Sequence, residues 1–226
     1  LPINLLDAIR EHCPNAAMGT GYGMTETAGT VAMAVGEDFI RRRAATGRVL
    51  DLYEVRIEGP DGEPLPPGEA GEIVIRGPTV MQGYWNRPEE TAAVLSPDGW
   101  LRTGDIGYVD DENYLFIVDR KKDMVISGGE NIYCAEVERV MSLIPEVIEC
   151  AAFGLPDERL GERLVAVVMG EGLDEDRVRH HVGEHLARYK APVRVGISPV
   201  TLPRNGLGKV DKAQLRSLWP QLAGDR

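Results

Sequence analysis

Tyrosine, threonine and glutamate stand together on a glycine-loosened stretch, Gly21-Tyr22-Gly23-Met24-Thr25-Glu26. Each offers something a nucleotide needs: the Tyr22 ring a flat face for a base, the Thr25 hydroxyl a contact for phosphate, the Glu26 carboxylate a ligand for Mg²⁺. The glycines let the backbone come close to a ligand or to a neighbouring strand. The same residues also suit a tight turn with a capping Thr-Glu pair, and the stretch alone does not choose between the two. Thr103-Gly104-Asp105 shares the ambiguity, because a carboxylate beside glycine can accept two ribose hydroxyls, while Asp after Gly is also ordinary turn chemistry.

Positive charge gathers at two further places. Asp119-Arg120-Lys121-Lys122-Asp123 reads in isolation as a solvated charge run. Its position at a strand end, just before a change of composition, gives it a second reading. Arg120 could serve there as a forked donor to a ribose or phosphate oxygen, and Lys122 sits where backbone rotation would swing one domain over another. Pro203-Arg204-Asn205-Gly206-Leu207-Gly208-Lys209 puts a lysine on a glycine-rich loop, although most such lysines are merely exposed. Ser127-Gly128-Gly129-Glu130-Asn131 reads as a flexible turn leading into a helix.

Other residue types build no site. His12, His180, His181 and His185 fall in helical segments of mixed polarity; His181 and His185 have i,i+4 spacing but no acidic third ligand, so they read as helix-surface residues rather than a zinc site. Cys13, Cys134 and Cys150 are odd in number and match neither a metal knuckle nor a disulfide framework, so they are expected as free thiols.

These groups must be held by elements whose signatures change along the chain. Ile3, Leu5, Leu6 and Ile9 beside Asp7, Arg10 and Glu11 predict an amphipathic helix already inside a domain. Asn15 to Gly23 reads as a loop at a strand end. From about Gly47 to Asp119 the pattern is short alternating strands: Val55 and Ile57, a Pro60-Asp61-Gly62 turn, then Ile73 and Ile75. A second hairpin is expected from Gly107-Tyr108-Val109 through Asp110–Asn113 to Tyr114–Val118. Beyond the charged run, Val137, Val140, Met141 and Ile144 fall at helical spacing, Val147–Phe153 and Leu164–Met169 read as strands, and Val178, Val182, Leu186 and Tyr189 share a helical face.

With 226 residues, 43% hydrophobic and 27% charged, the chain has length enough for one to two packed domains. Its formal net charge of −11 would repel a polyanion, so nucleic acid is a poor partner. No apolar run approaches a membrane span, and the expectation is a soluble, cytoplasmic protein. The chain does not begin with methionine and opens inside a domain-like pattern, which predicts a piece of a longer protein.

In order, Tyr22–Glu26, Gly71-Glu72-Ile73 with Gly83-Tyr84-Trp85, Gly99–Asp105, Asp119–Asp123, Ser127–Asn131 and Pro203–Lys209 resemble the adenylate-forming (AMP-binding) superfamily of acyl-CoA synthetases, luciferases and peptide-synthetase adenylation domains. The resemblance covers nearly the whole chain and corresponds to the C-terminal portion of such enzymes. It implies an α+β fold in three parts: the end of a large α/β N-terminal domain over residues 1–46, a small distorted β-barrel-like subdomain over 47–119, and a compact, mobile α+β C-terminal lid over 120–226.

By the same resemblance, Tyr22 would stack on adenine, Gly23 beside it would belong to the same nucleotide-binding stretch, Thr25 would contact the α-phosphate, and Glu26 would hold Mg²⁺. Asp105, helped by Arg120, would bind the ribose. Lys209 would be the adenylation lysine, bridging the carboxylate and the α-phosphate as charge develops. The lid would turn about Lys122 between adenylation and thioester formation, withdrawing Lys209 and presenting Gly128 and Gly129 beside the pantetheine arm. Ser127–Tyr133 and Ala187–Pro192 are closer to the acyl-CoA ligase branch, so ATP, Mg²⁺, CoA and a carboxylic acid are the implied ligands. Cys134 departs from the proline many ligases carry there and should loosen the start of the following helix.

The family's Ser/Thr/Gly-rich phosphate loop and most of its acyl-sorting wall are expected upstream of residue 1. The chain alone should therefore bind ATP weakly and not turn over without the N-terminal half, and acyl length is not legible. A homodimer is left open. An enzyme loading a carrier protein and a non-catalytic nucleotide- or CoA-binding module are the alternatives; intact Glu26, Asp105, Arg120 and Lys209 argue against the module.

Overall fold

Two segments of opposite character dictate the architecture: a run of half-buried alternating strands, and a later run of almost uninterrupted apolar residues. The computed structural model describes residues 9, 11–206 and 208–223. It divides into two units, Leu1–Ile117 and Val118–Arg226. The opening helical pattern lies largely outside the described residues, as does Leu207.

In the first unit the chain forms β1 (Gly19–Met24), β2 (Gly29–Val35), the short helix α1 (Gly36–Arg41), β3 (Gly47–Val49), β4 (Glu54–Glu58), β5 (Gly71–Arg76), α2 (Pro88–Val94), β6 (Leu101–Val109) and the start of β7 (Tyr114–Arg120), whose last three residues count with the second unit. The strands lie in one sheet in the order β1-β2-β3-β7-β6-β5-β4. The α+β class holds. The barrel-like expectation becomes an open sheet, because β1 and β4 occupy its two edges and are not joined to one another. The sheet also runs without a break across residue 46, since β2 pairs with β3 at Ala32↔Val49. Val31, Ile57, Ile73, Ile75 and Leu115 are buried together on it.

Both expected hairpins are present. Asp110 Oδ1 accepts from the Glu112 and Tyr114 N–H groups at 3.0 and 2.9 Å, an Asx-type turn that joins β6 to β7. The face of β4 and β5 opposite Ile57, Ile73 and Ile75 carries carboxylates that are nonetheless buried, Glu58 and Glu72. Arg102 bridges them at 2.6 and 3.0 Å, and Arg56 also pairs with Glu58. Trp100 lies between two guanidinium groups, Arg56 at 4.1 Å and Arg76 at 4.6 Å from its ring.

The second unit contains β8 (Val125–Ser127), β9 (Glu130–Ile132), α3 (Cys134–Met141), β10 (Val147–Asp157), β11 (Gly161–Gly170), α4 (Glu175–His185), β12 (Arg194–Ser198) and α5 (Lys212–Leu222). The β10–β11 hairpin is antiparallel, and β12 runs parallel to β11. Its near-continuous apolar sequence follows from burial on both faces. Ala152, Leu164, Ala166 and Val168 pack on α3 and α4. Ala151, Phe153, Val165 and Val167 pack on Leu215 and Trp219 of α5. Asp174 and Asp211 cap α4 and α5, accepting from Arg177 N and Gln214 N at 2.8 and 3.0 Å, the usual role of Asp at an N-cap.

The predicted helical face through Tyr189 is cut short: α4 ends at His185, and Tyr189 lies 46% exposed on a following 3₁₀ turn, Arg188–Lys190. Cys134 occupies the first position of α3 fully buried, and the first turn of that helix is held by Asp119 Oδ2, which accepts from Ala135 N at 3.1 Å. Among the described residues, no helix is long and apolar enough to cross a membrane.

Candidate functional site

Tyr22 and Gly23, expected on a loop, lie within strand β1. Gly23 is needed there because β2 crosses so closely that a Cβ would meet the Gly29 carbonyl oxygen at 2.0 Å. The close approach is therefore to a neighbouring strand. Thr25 and Glu26 follow in a 3₁₀ turn, Thr25–Thr27. That turn is pinned by Thr27 rather than by a Thr25–Glu26 pair. The buried Thr27 hydroxyl accepts from Met24 N at 3.1 Å and donates to the Gly29 carbonyl at 2.8 Å, while the Thr27 carbonyl accepts from the Thr79 hydroxyl at 2.8 Å. Thr25 is left exposed on the turn.

Asp105 reaches this place through a bulge. Glu72 pairs with Ile106 and Val74 with Arg102, so Thr103, Gly104 and Asp105 together face the single residue Ile73. Gly104 takes the positive φ of 70° that this requires, and a bulge of this kind re-aims a side chain out of the sheet's regular alternation. Thr103 locks it, its hydroxyl donating to the Ile73 carbonyl at 2.7 Å and accepting from Asp105 N at 3.1 Å. The result is that the Tyr22 hydroxyl donates to Asp105 Oδ2 at 2.7 Å. An aromatic face and a carboxylate, 83 positions apart in sequence, are thereby set side by side. An open groove of about 760 Å³ runs along β1 and β2 beside them, lined by Gly21, Tyr22, Gly23, Thr25 and Met33 among others.

Glu26 is held from both ends: its carbonyl accepts from Met81 N at 2.8 Å, and its Oε1 accepts from the Tyr84 hydroxyl at 2.8 Å. That hydrogen bond, with partial burial, holds the Tyr84 phenol above its usual range. Tyr84 is set in turn by its own N–H, which donates to Thr91 Oγ1 of α2 at 2.9 Å. Nothing local in the sequence marks Tyr84 for this contact, since its partner lies 58 positions away. Among the described residues no group of three or more His, Cys, Asp or Glu is arranged for a metal. A single fixed carboxylate fits Mg²⁺ of the kind carried on phosphates, which keeps several waters and takes only one or two protein carboxylates.

The remaining candidates belong to the second unit. Arg120 ends β7 and is exposed; Lys122 is exposed on the 3₁₀ turn Lys121–Asp123. Gly128 and Gly129 form the tip between β8 and β9, with φ of 61° and 88° that only a glycine-favouring hairpin turn demands. The tip is tied to the β10–β11 connection, where Gly128 N donates to the Leu160 carbonyl at 2.9 Å.

Lys209 is exposed on a small loop closed by the Arg204↔Val210 bridge. Asn205 organises that loop, its N–H donating to the Lys209 carbonyl at 2.8 Å and its Oδ1 accepting from Lys209 N at 3.1 Å. Glu149 on β10 anchors it from below, accepting from Leu202 N at 2.9 Å and pairing with Arg204. The Leu202 N–H, and then Arg204, hold the Glu149 carboxyl below the usual carboxylate range. Cys134 is a buried and Cys150 a partly buried free thiol, each pushed up to about 12 by desolvation, and so both are inert rather than nucleophilic.

Comparison with known proteins identifies the family. The AMP-binding enzyme model matches residues 1–85, and the AMP-binding enzyme C-terminal domain matches residues 136–209. A feruloyl-CoA synthase of Amycolatopsis sp is 47% identical over 199 residues, covering 87% of this chain and 40% of the relative. The long-chain-fatty-acid–CoA ligase FadD13 of Mycobacterium tuberculosis is 44% identical over 207 residues, covering 91% and 41%. The o-succinylbenzoate CoA synthetase MenE of Bacillus subtilis, solved in complex with its acyl-adenylate intermediate, superposes with a TM-score of 0.84 at 36% identity, covering 95% of this chain and 44% of that one. The same enzyme has been solved with ATP and a magnesium ion. The chain thus spans about two fifths of the length of the curated relatives it matches, and over that C-terminal portion it belongs to the AMP-binding enzyme family.

Proposed function

We propose that this chain is the C-terminal portion of an AMP-forming carboxylate–CoA ligase. The observation that carries this reading is the 2.7 Å hydrogen bond from the Tyr22 hydroxyl to Asp105. It puts a base-stacking face beside a carboxylate suited to vicinal hydroxyls, which are the two requirements of a nucleoside site.

In the first step a carboxylate oxygen of the substrate attacks the α-phosphorus of ATP. An acyl–O–P bond forms, the bond to the β-phosphate breaks, and pyrophosphate leaves. Tyr22 carries the adenine, Asp105 with Arg120 accepts and orients the ribose, and Thr25 contacts the α-phosphate. Mg²⁺ beside Glu26 neutralises phosphate charge when bound. Lys209 offers its ammonium to the oxygens on which charge accumulates, a preorganised cation of the kind that lowers such barriers by several kcal/mol.

In the second step the CoA sulfur attacks the acyl carbon. The C–S bond forms, the bond to AMP breaks, and the thiol proton passes to solvent. Turning about Lys122 exchanges the Lys209 loop for the Gly128–Gly129 tip between the two steps. The acid, CoA and the N-terminal part of the same enzyme are its partners, its working compartment is the cytoplasm, and a homodimer is compatible with it.

Mass-spectrometric analysis of the full-length enzyme, incubated with ATP, Mg²⁺, CoA and short, medium, long and aromatic carboxylates, tests the reading. Acyl-CoA together with AMP is the expected outcome. Acyl-adenylate accumulating without thioester would move the assignment to a carrier-protein-loading enzyme, and ADP in place of AMP would overturn it.

A further inference from the structure

The β10–β11 hairpin carries two polar grips that its core does not need. One is Glu149, whose carboxylate takes Leu202 N at 2.9 Å and Arg204 of the Lys209 loop. The other is Glu162, whose Oε2 accepts from Ile126 N at 2.9 Å in the strand that leads to Gly128 and Gly129. Their places on the hairpin differ in two ways. Glu149 pairs with Met169 and Glu162 with Pro156. The seven-residue offset along β10 separates the two grips by roughly 23 Å at about 3.3 Å per residue. They also point to opposite faces. Glu149 shares the alternation of Ala151 and Phe153, which face α5, whereas Glu162 shares that of Leu164 and Ala166, which face α3 and α4.

We infer that these two glutamates are separate positioning residues, Glu149 for the Lys209 loop in adenylation and Glu162 for the Gly128–Gly129 tip in thioester formation. The inference rests on the function proposed above. One rigid hairpin then holds both working loops at opposite ends and on opposite faces. Neither loop has to be rebuilt when the other is in use. Neither glutamate belongs to a segment whose residue types suggested chemistry.

The test measures the two half-reactions separately in the full-length enzyme, as pyrophosphate release and as thioester formation from supplied acyl-adenylate. Glu149→Ala is expected to slow adenylation by about tenfold to a hundredfold, the scale of a small misplacement at a reacting centre, and to slow thioester formation much less. Glu162→Ala is expected to reverse that ratio, and Glu162→Gln, which keeps an acceptor for Ile126 N, to restore it. Hydrogen exchange adds a readout independent of turnover: Glu149→Ala should speed exchange at Lys209 and Asp211, and Glu162→Ala at Ile126 and Gly128.

Should Glu149→Ala fail to fold, Arg204→Met removes the outer half of the same grip from the exposed side and is expected to act in the same direction. Equal slowing of both half-reactions by each glutamate variant, or no change in either, would overturn the division. Lys209→Ala in the same assay separates this from the broader reading. If it abolishes adenylation while Glu149→Ala spares it, the inference alone fails; if it leaves adenylation intact, the proposed function fails with it.

Discussion

The two units place polar groups in opposite ways. In the first, charge is taken inside the sheet: Glu58 and Glu72 are buried and bridged by Arg102, and the candidate nucleoside groups Tyr22 and Asp105 are half-buried and bonded to one another. In the second, the described interior is almost wholly apolar, with only Asp119 and Ser198 buried among polar residues. Its candidate lysine and glycines are exposed, and what is fixed there is the backbone of the loops that carry them. Under the proposed function, the difference suits two tasks. A surface that receives the same nucleotide throughout benefits from side chains locked in place, whereas parts that must be exchanged benefit from rigid loops with solvent-facing tips.

The sharpest way to break this contrast is to remove a cation from each unit. Arg102→Leu leaves two buried carboxylates without their shared partner and should destabilise the first unit by about 2–3 kcal/mol. Arg204→Met removes one end of a partly exposed pair and should cost less than about 1 kcal/mol. Chemical denaturation of both variants checks the order, and equal losses would contradict it. Tyr22→Phe keeps the ring and loses only the hydroxyl. It should lower stability by about 0.5–1.5 kcal/mol with little change in nucleotide affinity, whereas Tyr22→Ala should weaken nucleotide binding by about 1–3 kcal/mol of lost stacking; calorimetry on the full-length enzyme separates the two.

Thiol labelling sharpens the picture of the second unit's interior. In the native chain at pH 8 only the exposed Cys13 should react, because burial pushes Cys134 and Cys150 up to about 12; all three should react once the chain is unfolded. Rapid native labelling at three sites would show that core to be open. The smallest effect is on pH. Glu149 is held below its ordinary value of 4.5, so the stability it contributes is fully present above that value and is lost as pH falls through its lower folded value. Exchange protection of the Lys209 loop should therefore stay flat through neutral pH and fall only in acid.

How far the sequence reached depends on whether the signal was local. The alternation at Val55 and Ile57, the Asp110–Asn113 turn and the apolar runs of β10 and β11 each lie within a few residues, and each element was legible. The order of the strands was not, and an open sheet could not be told from a barrel-like one. Tyr22–Glu26 and Asp105 stood out by residue type, but their adjacency depends on a bulge at Thr103–Asp105 that only the register of β5 on β6 defines. Tyr84, Glu149 and Glu162 were passed over for a plainer reason. Their partners lie 58, 55 and 36 positions away, and a single Tyr or Glu on a strand or loop carries no pattern. The acceptor at the start of α3 was equally out of reach, because Asp119 stands 16 positions before the Ala135 N–H that it takes.

The most direct test of the account is a rapid-quench comparison of full-length wild type and Lys209→Ala, following pyrophosphate release from ATP and carboxylate and, separately, thioester formation from supplied acyl-adenylate and CoA. The account predicts that pyrophosphate release falls by on the order of 10²–10³-fold, as for loss of one preorganised donor to developing charge, while thioester formation stays within a few-fold of wild type. Unchanged pyrophosphate release, or an equal loss in both steps, would contradict it.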